Sequence, residues 1–231
     1  MSAPSRHHIL NKLRAVQSPF MDAEPRPKTY LRVTSAEGLT PENLVERFQT
    51  ELINLRAEPF QVADEHGARE KIVSLLQEHQ AKRVLAWDFQ HIPVEGLETA
   101  IRAENIEIVF PDLKTDDRPE VMTHAEGAEV GLTGVDAAAA TTGTLIFSTG
   151  IGKGRTPTIL SPLHIVVIRR EQILPQIEDW VAQKREAGLA QFVESAANFC
   201  FISGPSRTGD IEMEMVFGAH GPARLQVIII G

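Results

Sequence analysis

Cysteine is nearly missing from this sequence: Cys200 is the single one in 231 residues. One thiol cannot close an internal disulfide, nor by itself hold a zinc ion or an iron–sulfur cluster. It lies inside the apolar run Phe199–Ile202 and reads as a small buried hydrophobe. Clustered basic charge is missing too. The 23 lysines and arginines form no dense run and are outnumbered by 31 acidic residues, for a net charge of −8. A nucleic-acid partner is therefore not expected. The opening stretch MSAPSRHHILNKL has no apolar segment of the secretory type. No run approaches the ~20 apolar residues of a membrane span, so the expected location is cytoplasmic. The eight histidines show no metal-ligand spacing, and no H-E-x-x-H, C-x-x-C or G-x-G-x-x-G fingerprint occurs. No metal and no self-contained redox cofactor is expected in this chain.

What the chain does have is enough apolar material for a sizeable core, at 42% hydrophobic and 23% charged residues. Residues 5–17 place Ile9, Leu10, Leu13 and Val16 on one helical stripe, and the proline-bearing stretch 18–29 follows as an extended linker. Residues 1–39 thus read as an N-terminal arm and linker, and residues 40–231 as the main domain. Thr40-Pro41-Glu42 predicts a capped helix start. Strands are expected near 60–62, 83–87, 106–110, 129–133, 144–147, 164–168, 199–202 and 225–230. Helices are expected over 66–80, 94–104 and 172–197, the last bent at Gly188, with a polar loop at 111–120. Strands alternating with helices of this length predict βαβ units and a Rossmann-like, mostly parallel sheet flanked by helices. The closing run Val227–Ile230 fits a central strand buried on both faces.

Three glycine-rich segments carry the candidate chemistry. In GLTGVDAAAATTGT (131–144), Asp136 reads either as a helix cap or as a ligand-facing carboxylate. Thr142, Gly143 and Thr144 open a strand behind a run of alanines, where either a ligand or a neighbouring element could approach the backbone closely. GIGKGRT (150–156) is not a Walker A loop, because Gly154 follows Lys153 where serine or threonine is required. Lys153 and Arg155 would instead place two cations on a mobile lid over an anionic substrate; a flexible β-connection is the structural alternative.

The third segment, FCFISGPSRTGDIE (199–212), reads as a strand, a tight turn and a helix start. Free amides at Ser203, Gly204 and Ser206, in the turn made by Pro205, together with the helix dipole and the Arg207 guanidinium, would favour an anion. Alternatively Ser206 or Thr208 only caps the helix, with Asp210 in its first turn. A nucleophile elbow at Gly204–Thr208, with His220 as base and Asp210 as orienter, is disfavoured by Pro205 and by the absent final glycine. His220-Gly221-Pro222, ahead of the last strand, sits where a ligand contact is expected.

The segments GLTGVDAAAATTGTLIFST, GKGRTPTILSPLHIVVI and FISGPSRTGDIEMEMVFGAHGP resemble the lactate utilisation protein C family, or LUD domain. The likeness covers roughly residues 40–231 and implies a fold of the NagB/RpiA/CoA-transferase type. It also implies a role in oxidising L-lactate to pyruvate together with two iron–sulfur proteins. The clusters would then belong to those partners, and a small anionic ligand or a nucleotide would bind beside 203–210. Many members carry glutamate where this chain has Thr141, which argues against a covalent carboxylate mechanism of the CoA-transferase kind. A stand-alone enzyme of the CoA-transferase or sugar-phosphate isomerase type, and a non-catalytic adaptor, are the alternatives; homo-oligomerisation stays open.

Overall fold

The structure, a computed structural model, describes residues 3–16, 34–111, 118–188, 192, 194–209 and 215–231. The chain divides into two compact units, Met1–Val33 and Thr34–Gly231. In the first unit the described part is helix α1 (Ala3–Val16). The linker expected at 18–29 lies outside the described residues.

The second unit is built on a six-stranded, all-parallel sheet. Its strands are β1 (Glu58–Val62), β2 (Arg83–Ala86), β3 (Glu107–Val109), β4 (Val130–Thr133), β7 (Leu163–Arg169) and β12 (Arg224–Ile230), in the order β1-β12-β7-β4-β2-β3. β12 has neighbours on both sides, and Val227 to Ile230 are all buried. A parallel strand covered on both faces needs such an unbroken apolar run, so the closing segment occupies the place its composition requires. Helices α2 (Leu44–Asn54), α3 (Glu65–Glu78) and α4 (Leu97–Ala103) bury Phe48, Leu52, Ile72, Leu76 and Ile101 in the same core as the sheet. The fold is α/β and Rossmann-like, as expected.

Four expectations are corrected. Thr40 does not cap α2: its own amide donates to Asn43 Oδ1, and Asn43 holds the cap position. Of the loop expected at 111–120, residues 112–117 lie outside the described residues and 118–120 belong to helix α5 (Arg118–Glu126). The helix expected over 172–197 is shorter: strand β8 (Ile173–Leu174) comes first, and α6 spans Ile177–Glu186. The turn after Ile202 does not open a helix. Arg207–Gly209 (β10) pairs antiparallel with Met215–Phe217 (β11) as a hairpin.

A second sheet of four strands lies behind these corrections. β5 (Ala137–Ala139), β6 (Thr144–Thr149), β8 and β9 (Asn198–Ile202) run in the order β8-β5-β6-β9. Ala138, Leu145 and Phe147 from this sheet share one core with Leu132, Ile165 and Val166 of the large sheet. The alanine run is therefore a strand: side chains of one carbon let it sit deep in the core, with Ala137 to Ala140 all buried. On the opposite face of β6 and β9, Ile146 and Phe199 pack with Trp180 of α6.

Candidate functional site

A cavity of about 240 Å³ opens between β9 and the amino ends of β7 and β12. Its wall comes from five places. The turn before β7 gives Thr158 and Ile159, β7 itself gives His164, and β9 with the following loop gives Cys200 through Ser206. The turn before β12 gives His220, Gly221 and Pro222, and β12 gives Leu225. In open α/β sheets ligands usually sit at the carboxyl ends of the strands. Here the cavity is at the opposite end, because the second sheet leaves its gap there.

Local bonds fix the mouth. The Ser206 amide donates to Pro222 O at 2.8 Å, and the Gly218 amide donates back to Ser206 O at 3.0 Å. Gly204 has φ +88, and a Cβ there would stand 2.8 Å from Leu55 O, so only glycine lets the loop rest on the end of α2. Hydroxyls continue inward from Ser203: its Oγ lies 2.8 Å from Thr144 Oγ1, which lies 2.7 Å from Thr142 Oγ1. The Ser206 hydroxyl makes no hydrogen bond among the described residues.

The inner wall holds His164, which is 1% exposed. Its Nε2 is 2.9 Å from Thr133 Oγ1, and its ring lies against Phe147 with centroids 5.9 Å apart. Nδ1 has no hydrogen-bond partner among the described residues. Burial pushes the imidazole pKa down from 6.5 to about 3, so the ring is neutral at physiological pH. Among the described residues no lysine, arginine, aspartate or glutamate lines the cavity. The polar equipment is neutral hydroxyls, two histidines and one thiol on an otherwise apolar wall.

The residues singled out from the sequence do not all meet. Ser203, Gly204, Pro205, Ser206, His220 and Gly221 line the cavity, and Thr142 and Thr144 join it through Ser203. Gly143 takes a left-handed φ of +58 and packs on Glu51 of α2 and on Leu55, just past its end. Asp136 and Lys153 meet each other elsewhere. Lys153 Nζ lies 3.0 Å from Asp136 Oδ1 and 3.0 Å from Ser148 Oγ, above the Trp87 ring at 5.6 Å. The other Asp136 oxygen accepts the Ser148 amide.

The loop around Lys153 is tied as well: Trp87 Nε1 donates to Gly154 O at 2.7 Å, and Gly150 and Lys153 exchange two backbone bonds. The expected mobile lid is thus a pinned turn. Arg155 is exposed, outside the cavity wall, and its carbonyl accepts the Thr158 hydroxyl. Arg207 and Thr208 are exposed on β10, outside the cavity wall. With a hairpin in place of a helix and the Ser206 amide already bonded, the helix-dipole argument for anion capture does not hold. Asp210 lies outside the described residues.

His164 escaped the sequence reading, as did Thr158, Phe201 and Leu225. The signal for His164 was present: a histidine at the second position of an otherwise apolar strand must be buried. Thr141, the place where a glutamate would serve covalent chemistry, is buried, with its hydroxyl 2.9 Å from Thr34 Oγ1. Among the described residues no group of three or more histidine, cysteine, aspartate or glutamate side chains could hold a metal ion. No helix among them is long and apolar enough to cross a membrane.

Comparison with known proteins gives a consistent set. The LUD domain family model matches residues 45–230. Lactate utilization protein C of Halalkalibacterium halodurans is 31% identical over 160 residues, covering 69% of this chain and 67% of its own. The protein of the same name from Geobacillus sp. is 25% identical over 229 residues, covering 96% and 92%. The crystal structure of a DUF162 family protein from Deinococcus radiodurans superposes with a TM-score of 0.61 at 23% identity, over 84% of this chain and 99% of that one. That likeness concerns the fold.

Proposed function

The chain belongs to the LUD domain family, and from that premise we propose that it is a cytosolic component of an L-lactate-oxidising system that binds a short organic acid in the cavity beside Ser203–Ser206. The role in lactate utilisation follows the names of its relatives. The binding site rests on one observation: a built cavity walled by hydroxyls and by His164, a buried histidine whose Nδ1 has no partner among the described residues. Buried polar groups are nearly always bonded, and the exceptions ask for a missing partner.

Size chooses among ligands. Drug-sized molecules occupy pockets of about 300–1,000 Å³, whereas this cavity is about 240 Å³. A three- or four-carbon acid fits that space better than a nucleotide. With no lysine or arginine among the described residues of the wall, the carboxylate stays at the mouth, where Ser203 and His220 are exposed and Ser206 has an uncommitted hydroxyl. Electrons leaving the substrate would go to iron–sulfur partner proteins, since this chain's lone cysteine, Cys200, can ligate no cluster by itself. Ile159 and Phe201 are 42% and 47% exposed at the cavity mouth, and partners would cover them.

The test is thermal denaturation of the full chain with L-lactate, pyruvate, adenosine nucleotides and coenzyme A. A concentration-dependent rise in Tm with the short acids alone, lost in Ser206→Ala/His220→Ala, supports the reading. A rise with nucleotides and none with the acids overturns it.

A further inference from the structure

We propose that β9 is a self-association edge: two copies of this chain pair their β9 strands antiparallel about a twofold axis at Cys200, joining two four-stranded sheets into one of eight. This goes beyond the short-acid reading and does not depend on it.

The outer strands of the two larger sheets are not alike. A free strand edge presents a row of unpaired N–H and C=O groups, and native proteins blunt it with charge, with proline or by keeping it short. β1 carries Glu58 and Pro59, β3 has three residues including Glu107, and β8 has two residues. β9 has none of these devices. It is five residues long, NFCFI, without charge or proline. Among the described residues it pairs on one side only, with β6. Phe201 on this strand is 47% exposed.

The cavity lies along the same edge. Successive side chains of a strand point to opposite faces, yet Cys200, Phe201 and Ile202 all line the cavity. The cavity therefore reaches round the open side of β9, and a strand added there lies across its mouth. For Phe201 the covering partner is then a second copy.

The strand complements itself. Antiparallel pairing about Cys200 sets Phe199 opposite the partner's Phe201, and Phe201 opposite the partner's Phe199. Opposite residues share a face of the sheet. Phe199 and Phe201 both stand on the α6 side, with ring centroids 6.2 and 5.8 Å from that of Trp180. Self-pairing in this register joins the two aromatic clusters and covers the exposed ring, an arrangement that cross-strand aromatic pairs favour. An axis at Phe199 or at Phe201 would instead set Phe201 against Ala197 or Phe199 against Ser203. Charge points the same way. At a net charge of −8, two copies repel one another, and an uncharged strand is where they meet at least cost.

The test is sedimentation velocity of the full chain across the micromolar range, with diamide oxidation to read the register. Wild type is expected to be a dimer with a micromolar Kd. Phe201→Asp, which buries a carboxylate beside Phe199, is expected to raise that Kd about tenfold or more. Phe201→Tyr keeps the ring and is expected to keep the dimer. Opposite Cβ atoms in an antiparallel pair stand about 5 Å apart, close to disulfide geometry. Diamide takes up two electrons and two protons as two Cys200 thiols become one disulfide, so a linked dimer is expected on a non-reducing gel. The wild-type measurements need no variant. A wild-type monomer throughout the range, or an unchanged Kd in Phe201→Asp, overturns the proposal and leaves the edge to a chain of different sequence. A dimer that diamide does not link overturns the axis at Cys200.

Discussion

Two polar clusters in this molecule differ in one respect. Around Asp136, the polar groups are matched: Lys153 meets a carboxylate and a hydroxyl, Asp136 meets an ammonium and an amide, and the Trp87 indole donates to a carbonyl. These residues stand outside the cavity wall. Around His164, one nitrogen is bonded and the other is not, and the cavity lies alongside. Asp136 and Lys153 come from glycine-rich segments, whereas His164 comes from an apolar strand. The first cluster is closed and stabilises the joint between the two sheets. The second leaves one buried nitrogen without a partner among the described residues, beside the cavity.

The sharpest way to break this contrast is pH. His164 has a folded pKa of about 3, below its ordinary 6.5. Between those values the unfolded chain takes up a proton that the folded chain refuses, so stability is complete above 6.5 and is lost as pH falls. The slope approaches about 1.4 kcal/mol per pH unit from this group. In urea titrations from about pH 6 to pH 4, inside that window, wild type should lose that much more per unit than His164→Gln. Parallel slopes would mean that the ring is not buried neutral.

Next comes the backbone that joins the clusters. A Cβ on Gly131 would stand 1.9 Å from Pro157 O, in the turn that carries Thr158 to the cavity. Gly131→Ala should cost about 3 kcal/mol and weaken acid binding, because the turn has to move. Retained stability with retained binding would show that the turn does not pack on the strand.

The closed cluster should respond in stability alone. Asp136→Ala leaves Lys153 without its counter-ion at a site where both side chains are 20% exposed. Discounted for that exposure, the loss should be about 2 kcal/mol in urea unfolding, with acid affinity unchanged. A large loss of affinity would place Asp136 at the ligand. The smallest effect is the mirror image. Ser206→Ala should leave stability within about 0.5 kcal/mol and weaken acid binding roughly two- to tenfold, the worth of one hydrogen bond.

Much of the large sheet was legible in the sequence, because parallel strands buried on both faces announce themselves as unbroken apolar runs. Ile165–Ile168, in register with Gln226–Ile229 of the closing strand, is such a run. The second sheet was not legible. Ala137–Ala139 carries none of the branched or aromatic side chains that mark a strand, and burial rather than propensity decides its conformation. The hairpin at 207–217 was misread for a related reason. Ser206, Thr208 and the acidic residues after them fit a helix start locally, and the pairing of Arg207 with Phe217 overrides that preference. Six of the candidate residues surround the cavity because they share two consecutive turns. Lys153 and Asp136 share only residue chemistry with that site, and chemistry alone does not reveal whether a charge is already satisfied by a neighbour. His164 was hidden by its strand, where one polar residue among apolar ones passes as part of the core.

The most direct measurement follows the ring nitrogens of His164 and Nζ of Lys153 by nitrogen-detected NMR during titration of the full chain with L-lactate. The account predicts a saturable shift of His164 Nδ1 while Lys153 Nζ stays fixed. A fixed His164 with a shifting Lys153 would contradict it, and would move the site to the closed cluster.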